Sequence, residues 1–349
     1  MCLCWSGKEY GCNPKAITDA MASQHLAGSK FEVWYAFVNP TSFVSQLPEG
    51  VHAVNIGGLK YFRLLLTSHF IISNTRFGGG MFWPMPKRKG QLYILTGHGS
   101  NGVKRIEFDT SSLPEQYLKD AMADTMRIDL MLSNSRQRTA TIRSAYRYEG
   151  EILDCGFPRN DALINAESAA SDRHYLLYTP TFRNNGRTDV YGFDFDKVIS
   201  ALETRFGGQW FVRISSHPNM RSFYQSIYDF SHPRLVDIGK EELQPYLSGS
   251  DALITDYSSA EMDFSLTGRP VFQLCRDRQD YDRGFYIKPE ELPFPYAETD
   301  EQLVQNILGF DEAEYATDLQ RFNQDVVGLH ETGRAAEAVV EWMCKRYDK

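Results

Sequence analysis

The 349-residue sequence lacks the features that mark several special classes of protein. Its six cysteines show no paired CxxC spacing, so they predict neither a zinc site nor a disulfide framework, and we expect reduced thiols. No apolar run approaches the roughly 18 residues of a membrane-spanning helix. The chain does not open with a basic segment and an apolar core, as a secretory signal would. We therefore expect a cytoplasmic protein.

Positive charge is also scarce, with 37 Lys and Arg against 45 Asp and Glu and a net charge of −8. Because affinity for nucleic-acid backbones depends on surplus basic residues, this balance excludes a general nucleic-acid binder. One basic cluster stands out at residues 83–89, WPMPKRK. It could contact anionic lipid at the inner face of the membrane, and the alternative is a solvated loop.

Short apolar runs alternate with amphipathic helical stretches along the whole chain. This rhythm predicts the α/β class, with parallel sheets covered by helices. A chain of this length exceeds one ordinary core, which predicts two domains. The polar, small-residue segment 166–172 is the expected linker. It separates an N-terminal domain at residues 1–165 from a C-terminal domain at 173–349 that includes the last helices.

Two histidines directly follow predicted strands. His98 lies in the sequence TGHG after residues 91–95, and His217 lies in SHP after residues 209–215. Open α/β sheets bind ligands at the carboxyl ends of their strands, and a neutral imidazole can accept a proton near pH 7. Both histidines are therefore candidate catalytic residues. The alternative for each is a turn histidine bonded to a nearby carbonyl.

A polar turn follows the apolar run at residues 251–254, and apolar spacing then resumes as in a helix. The turn contains four candidate phosphate-binding residues: Thr255, Asp256, Ser258 and Ser259. Backbone N–H groups at a helix start and neighbouring hydroxyls are suitable donors to phosphate oxygens. The alternative is that Ser258 or Ser259 only caps the helix.

Three further residues belong to the candidate anion site. Thr181 and Arg183 follow the predicted strand that starts at residue 175, and Arg283 lies in the loop YDRGFY, where it could fold over an anion. The alternative for Arg283 is an ion pair with a neighbouring aspartate. The sequence FDFD at 193–196 starts a helix, where carboxylates are ordinary dipole partners. We therefore expect no obligatory metal and no cofactor.

Eight motifs occur in order along nearly the whole chain: SGKEYGCNPKAI, SNTR, GHGSNGVKRI, GFPRND, YTPTFR, SHP, DALITDYSSAEMDF and YDRGFY. In these motifs the sequence resembles the CDP-glycerol glycerophosphotransferases, the teichoic-acid primases and polymerases. The resemblance implies a GT-B-like fold, with two Rossmann-like domains facing across a cleft. It also implies that His98 and His217 are essential and that the DYSS turn and Arg283 hold the donor's phosphates.

The resemblance implies a reaction as well. An acceptor hydroxyl, on a lipid-linked or glycan acceptor, attacks the β-phosphorus of CDP-glycerol or another CDP-polyol, and CMP leaves. His98 is the expected base, while His217, Arg283 and the turn stabilise negative charge. Two rivals remain: a GT-B glycosyltransferase that uses a nucleotide sugar, and a non-catalytic binding subunit, against which the presence of both histidines argues.

The sequence also departs from the family pattern. Gly97 stands where the family usually has Trp, Ser100-Asn101 replaces Thr-Pro, and Lys104 comes one residue late. We therefore expect an acceptor side of different shape. The chain starts almost inside its first predicted strand, which favours a primase-like or capsule-type transferase, or a minimal catalytic core.

Overall fold

The computed structural model describes residues 1–77, 87–99, 102–110, 113–166, 172–181, 183, 188–215, 223–224, 227–228, 230–239, 242–281 and 284–348. The chain divides into two compact units. Unit 1 comprises Met1–Ser100, Ile106–Ala162 and Gly328–Lys349, and unit 2 comprises Asn101–Arg105 and Leu163–Val327. Each unit contains a parallel sheet with helices, which confirms the predicted α/β class with two Rossmann-like units.

The sheet of unit 1 has the strand order β3-β2-β1-β4-β5-β6-β7, and its neighbouring strands pair in parallel. Its strands are β1 (Cys2–Leu3), β2 (Val33–Phe37), β3 (Val51–Asn55), β4 (Phe70–Ser73), β5 (Leu92–Leu95), β6 (Leu130–Ser133) and β7 (Glu151–Asp154). The strand order reverses between β1 and β4. In open α/β sheets ligands bind at such a point, beyond the carboxyl ends of the strands.

Helices alternate with these strands because parallel connections need a crossover. They are α1 (Cys12–Ser23), α2 (Leu59–Thr67), α3 (Glu115–Thr125), α4 (Arg136–Ala145) and α5 (Asp161–Ile164), and α11 (Ala335–Tyr347) returns from the end of the chain. The strands β4, β5 and β6 are almost completely buried and apolar on both faces, as a parallel sheet covered by helices requires.

The sheet of unit 2 has the order β10-β9-β8-β11-β12-β13, again with parallel pairing. Its strands are β8 (Arg173–Thr179), β9 (Gln209–Ile214), β10 (Leu235–Asp237), β11 (Ala252–Thr255), β12 (Val271–Leu274) and β13 (Tyr296–Ala297). The strand order reverses between β8 and β11. Its helices include α6 (Phe195–Phe206), α7 (Gln244–Ser248), α8 (Ala260–Ser265), α9 (Asp300–Leu308) and α10 (Glu312–Arg321).

The end of the chain belongs to unit 1, whereas the sequence places it in the second domain. The reason is packing: α11 contributes Val339, Val340 and Met343 to the same apolar cluster as the first strands of the chain. Asp161 fixes its start, because its carboxylate accepts hydrogen bonds from the backbone N–H groups of Ala335 and Ala336 at 2.9 and 2.8 Å. The two units are therefore not two continuous halves of the sequence.

The elements that were not predicted include helix α3 and strand β13. Helix α3 occupies the region before β6, which starts at Leu130. Strand β13 has two residues, too few to give a pattern. Asp194 is the N-cap of α6, where its side chain accepts from the N–H of Lys197 at 3.1 Å. Among the helices in the described ranges, none combines the length and hydropathy needed to cross a bilayer.

Candidate active site

His98 lies beyond the carboxyl end of β5, next to the point where the strand order of unit 1 reverses. The neighbouring strands bring Trp5, after β1, and Asn74, after β4, to the same edge. The rings of Trp5 and His98 are 4.4 Å apart between centroids. The Asn74 side chain accepts a hydrogen bond from the N–H of Trp5 at 2.8 Å. These contacts give His98 a defined position.

A backbone contact fixes the tautomer of His98. Its Nδ1 lies 3.2 Å from the carbonyl oxygen of Asn74, and because a carbonyl only accepts, Nδ1 must carry the proton. In the neutral ring Nε2 then keeps its lone pair. Within the described part of the chain Nε2 has no hydrogen-bond partner, and the residue is exposed. This arrangement is the one that a general base requires.

The surroundings of His98 keep its imidazole neutral. Loss of hydration lowers the pKa of His98 from 6.5 to about 4, the bond to Asn74 opposes this, and the positive charges of Arg159 and Arg138 lower the pKa further. The residue keeps accessible surface, so a substrate hydroxyl can approach it. A histidine with a lowered pKa is unprotonated at pH 7.

A buried asparagine holds the loop that carries His98. The Asn13 side chain is 0% exposed, and its Nδ2 donates to the carbonyl of Gly97 at 2.9 Å. Its Oδ1 accepts from the N–H of Arg159 at 3.0 Å. Arg159 in turn donates through Nη1 to the carbonyl of His98 at 2.5 Å. These hydrogen bonds connect the start of α1, the loop that carries His98 and the segment after β7.

The turn after β11 is organised by Asp256, which is 4% exposed. Its Oδ1 accepts from the N–H groups of Thr181 and Tyr257 at 2.8 and 2.7 Å. Its Oδ2 accepts from Arg183 at 2.8 Å. Asp256 therefore joins the turn to the loop after β8. Both carboxylate oxygens of Asp256 are thus bonded within the protein.

Arg183 lies between two carboxylates. Its Nε donates to Asp277 Oδ2 at 2.6 Å and its Nη2 to Asp277 Oδ1 at 2.9 Å, in addition to the bond to Asp256. The hydroxyl of Tyr257, a fully buried side chain, donates to Asp277 at 3.1 Å. The structure thus brings together Thr181, Arg183 and Asp256, as expected, but the guanidinium of Arg183 is already paired.

The hydroxyl residues of the turn differ in their contacts. The Thr255 hydroxyl is buried and donates to the carbonyl of Thr179 at 2.7 Å. Ser258 Oγ accepts from the N–H of Ala260 at 3.2 Å, which is a capping contact. Ser259 is the N-cap of α8, yet its side chain makes no capping bond. Ser258 and Ser259 are both partly exposed.

Two predicted site residues, His217 and Arg283, lie outside the described residues. The segment after Arg283 is held within unit 2 by backbone pairing. The N–H of Arg105 donates to the carbonyl of Gly284 at 3.1 Å, and the N–H of Tyr286 donates to that of Val103 at 2.8 Å. The end of the motif GHGSNGVKRI is therefore paired with the end of the motif YDRGFY.

Several residues at these sites were not singled out from the sequence, although most lie inside the eight motifs. Their common feature is a polar or charged side chain at the end of a strand or the start of a helix: Asn13, Asn74, Arg138, Arg159 and Asp277. The quoted motifs contain three of them, Asn13, Asn74 and Arg159, so the motifs could have identified these residues. Arg138 and Asp277 lie outside them, and only their burial distinguishes them.

Comparison with known proteins gives a consistent result. The family described as CDP-Glycerol:Poly(glycerophosphate) glycerophosphotransferase matches residues 3–345. The teichoic acid poly(glycerol phosphate) polymerase of Bacillus subtilis (strain 168) is 26% identical over 376 aligned positions, which cover 98% of this chain and 48% of that protein. The chain thus spans about half the length of that relative.

Two further proteins are similar over most of their own length. The teichoic acid glycerol-phosphate transferase of Staphylococcus aureus (strain NCTC 8325 / PS 47) is 25% identical, with 97% of this chain and 91% of that protein covered. A solved structure of the wall teichoic acid polymerase TagF matches with a TM-score of 0.83 at 24% identity, covering 99% of this chain and 88% of that chain. The latter likeness shows the fold.

Proposed function

The chain belongs to the CDP-glycerol:poly(glycerophosphate) glycerophosphotransferase family, and we propose that it transfers glycerol phosphate from CDP-glycerol to a hydroxyl acceptor of a teichoic-acid-type polymer. The acceptor oxygen forms a bond to the β-phosphorus, the bond from that phosphorus to the oxygen of CMP breaks, and CMP leaves. The proton of the acceptor hydroxyl passes to His98 Nε2.

The observation that carries this proposal is the state of the His98 ring. The bond between Nδ1–H and the Asn74 carbonyl directs the lone pair to Nε2, and the lowered pKa keeps the ring neutral at pH 7. A general base of this kind contributes about 10² to 10⁴ in rate. A non-catalytic binding subunit has no need of such a residue at the edge of the sheet.

For the donor, we propose that Ser259 contacts a phosphate oxygen together with His217 and Arg283. Helix α8 has only six residues, so its dipole is small and the proposed contacts are individual donors. The turn on which Ser258 and Ser259 lie is held by the mutual hydrogen bonds of Thr181, Arg183 and Asp256. These three residues then act on the donor indirectly, by positioning the turn. The Thr255 hydroxyl belongs to the same supporting group.

The decisive assay follows CMP release and product mass. The full chain is incubated with a glycerol-phosphate-terminated acceptor and, in separate reactions, with CDP-glycerol, CDP-ribitol or a nucleotide sugar. We expect acceptor-dependent CMP release and a mass increase of one glycerol phosphate unit with CDP-glycerol. Transfer from the nucleotide sugar alone would instead identify a glycosyltransferase of similar fold, which fold likeness cannot exclude.

We also propose that the acceptor is carried on a lipid or glycan and that the chain works at the cytoplasmic face of the membrane. Of the basic cluster at 83–89, Lys87 forms an ion pair with Asp129 at 2.5 Å, which leaves Arg88 and Lys89 as the exposed bases of the described part. Sedimentation with vesicles containing phosphatidylserine tests this contact. Binding that Arg88→Gln with Lys89→Gln does not weaken would contradict it.

A further inference from the structure

Three arginines of the described chain are almost completely buried: Arg76, Arg138 and Arg183 are 8%, 5% and 5% exposed. Two of them have two carboxylate partners each. Arg76 pairs with Glu107 at 3.0 Å and Asp124 at 3.2 Å. Arg183 is paired with Asp256 and Asp277, as described above. Such pairing is expected, because burying a guanidinium without a partner costs several kcal/mol.

Arg138 differs from the other two. Among the described residues its guanidinium has neither a carboxylate partner nor a hydrogen-bond acceptor, and its Nε is fully buried. Its contacts there are the rings of Tyr146 and Phe157, 5.8 and 6.0 Å from Cζ to the ring centroids. Ring contacts at this distance are weak and do not replace the lost hydration. An arginine cannot lose its proton to relieve the cost.

The backbone around Arg138 holds this charge at one place. Ser135 is the N-cap of α4, and its hydroxyl accepts from the N–H of Arg138 at 3.0 Å. The first turn of α4 contains no acidic residue, although acidic residues are favoured there. A cation in the first turn is opposed by the helix dipole, so this arrangement is unfavourable unless an anion joins it.

The guanidinium of Arg138 lies next to the loop that carries His98. Gly97 has a φ of +68°, and a Cβ added there would lie 3.1 Å from Arg138 Nη2. Gly97 therefore allows both the left-handed turn and the close approach of the guanidinium. Arg138 and Arg159 are also both near enough to His98 for their charges to act on its ring.

We propose that Arg138, with Arg159 beside it, forms a subsite for a phosphoryl group next to His98. The inference rests on the proposed function, in which both substrates carry phosphates. A guanidinium fork matches phosphate oxygens and supplies the charge-assisted bonds that Arg138 lacks within the protein. We assign the subsite to the acceptor phosphate that lies nearest the attacking hydroxyl, since His98 is the residue that receives the hydroxyl proton. The donor's phosphate is the other source of the same chemistry.

The test uses the full chain and calorimetry with three probes: sn-glycerol 3-phosphate, glycerol and CDP-glycerol. For Arg138→Gln we expect the affinity for glycerol 3-phosphate to fall about 10- to 100-fold, the range expected for losing bonds to a charged group. Arg138→Lys keeps the charge without the fork and should recover part of the loss. Loss confined to CDP-glycerol would assign the same subsite to the donor. The exposed Arg63→Gln is the control for general charge effects.

Thermal unfolding separates a binding role from a structural one. Arg76→Gln should lower Tm strongly, because it removes the cation that neutralises the carboxylates of Glu107 and Asp124. Arg138→Gln should not lower Tm in the absence of ligand, because it removes an unpaired buried charge. Glycerol 3-phosphate should raise the Tm of the wild type and not that of Arg138→Gln.

Unchanged affinity of Arg138→Gln for both phosphate probes would overturn the subsite. So would a ligand-free Tm loss equal to that of Arg76→Gln together with unaltered phosphate binding by Arg138→Lys. Failure of the proposed function has a different signature. In that case the wild type binds glycerol 3-phosphate through Arg138 but releases no CMP from CDP-glycerol. Normal CMP release and an unchanged acceptor KM in Arg138→Gln would reject the subsite alone.

Discussion

Arg183 and Asp277, 94 residues apart in the sequence, form a two-point ion pair with N···O distances of 2.6 and 2.9 Å while their side chains are 4% and 2% exposed. The pair joins the loop after β8 to the loop after β12. With Asp256 it also includes the turn after β11. Three strand ends of unit 2 are therefore held by one guanidinium, and the position of Ser258 and Ser259 depends on it.

The first prediction concerns this buried ion pair. Arg183→Met leaves the buried carboxylates of Asp256 and Asp277 without their cationic partner, and breaking a buried pair typically costs about 3–5 kcal/mol. The matched control is Arg278→Met, which breaks a partly exposed pair with Glu290 worth at most about 1 kcal/mol. Urea unfolding of the two variants measures the difference. Equal losses of unfolding free energy would show that Arg183 does not organise these loops.

The second prediction concerns the pH dependence of transfer. Because the pKa of His98 lies below 6.5, its basic form persists as the pH falls through the range where an ordinary histidine becomes protonated. The acceptor-dependent kcat/KM should stay level from about pH 8 to 6 and decrease only as the pH approaches the lowered pKa. The acceptor should carry phosphodiesters, since a monoester titrates near pH 6. A decrease centred at 6.5 would contradict the lowered pKa.

The same shift affects stability. Between pH 6.5 and the lowered pKa, the unfolded chain binds a proton at His98 while the folded chain does not, so unfolding becomes more favourable as the pH falls through this range. His98→Gln should remove this part of the pH dependence. The comparison of Tm at pH 7.5 and 5.5 for wild type and variant measures it, and identical pH dependence in both would count against the shift.

The third prediction separates the two serines of the donor turn. Ser258→Ala removes a capping acceptor and should cost about 1 kcal/mol of stability with little change in affinity for CDP-glycerol. Ser259→Ala should leave stability unchanged and weaken CDP-glycerol binding about 10-fold or more, if its hydroxyl donates to a charged oxygen. Calorimetry and thermal unfolding on each single variant decide this. The reversed pattern would exchange the two roles.

The fourth prediction follows from the return of the chain to unit 1. Removal of residues 328–349 exposes the cluster that α11 covers, in which Val339 and Met343 are 0% and 2% exposed. Burying one such side chain contributes about 1.5–3 kcal/mol, so unit 1 should lose several kcal/mol. Hydrogen exchange followed by mass spectrometry should show increased exchange in β1 and β4. An increase confined to unit 2 would contradict the observed packing.

The sequence predicted the parts of the fold that depend on local pattern. Buried parallel strands appear as apolar runs, so β5 and β11 were found within a residue, and the polar residues behind them were placed correctly at strand ends. Helix α3 was missed because its first turn is polar and only Ala121, Asp124 and Thr125 are buried. In an exposed helix of this kind, the apolar residues show little of the 3.6-residue periodicity that identifies a helix.

Long-range pairing could not be predicted in the same way. Arg183 was identified as a candidate phosphate ligand, but nothing in its neighbourhood reveals that Asp277 neutralises it. Helices were predicted at the end of the chain, yet the apolar stripe of a helix does not indicate which sheet it covers, and α11 packs on unit 1. Arg138 has no distinguishing local pattern, because the absence of a partner is visible only in three dimensions.

The central claim is that His98 removes the proton from the acceptor hydroxyl, and acceptor-dependent CMP release by His98→Gln tests it most directly. With CDP-glycerol and a glycerol-phosphate-terminated acceptor, the account predicts a loss of about 10² to 10⁴ in kcat, with CDP-glycerol affinity unchanged by calorimetry. Near-normal turnover by a variant that binds CDP-glycerol normally would contradict it.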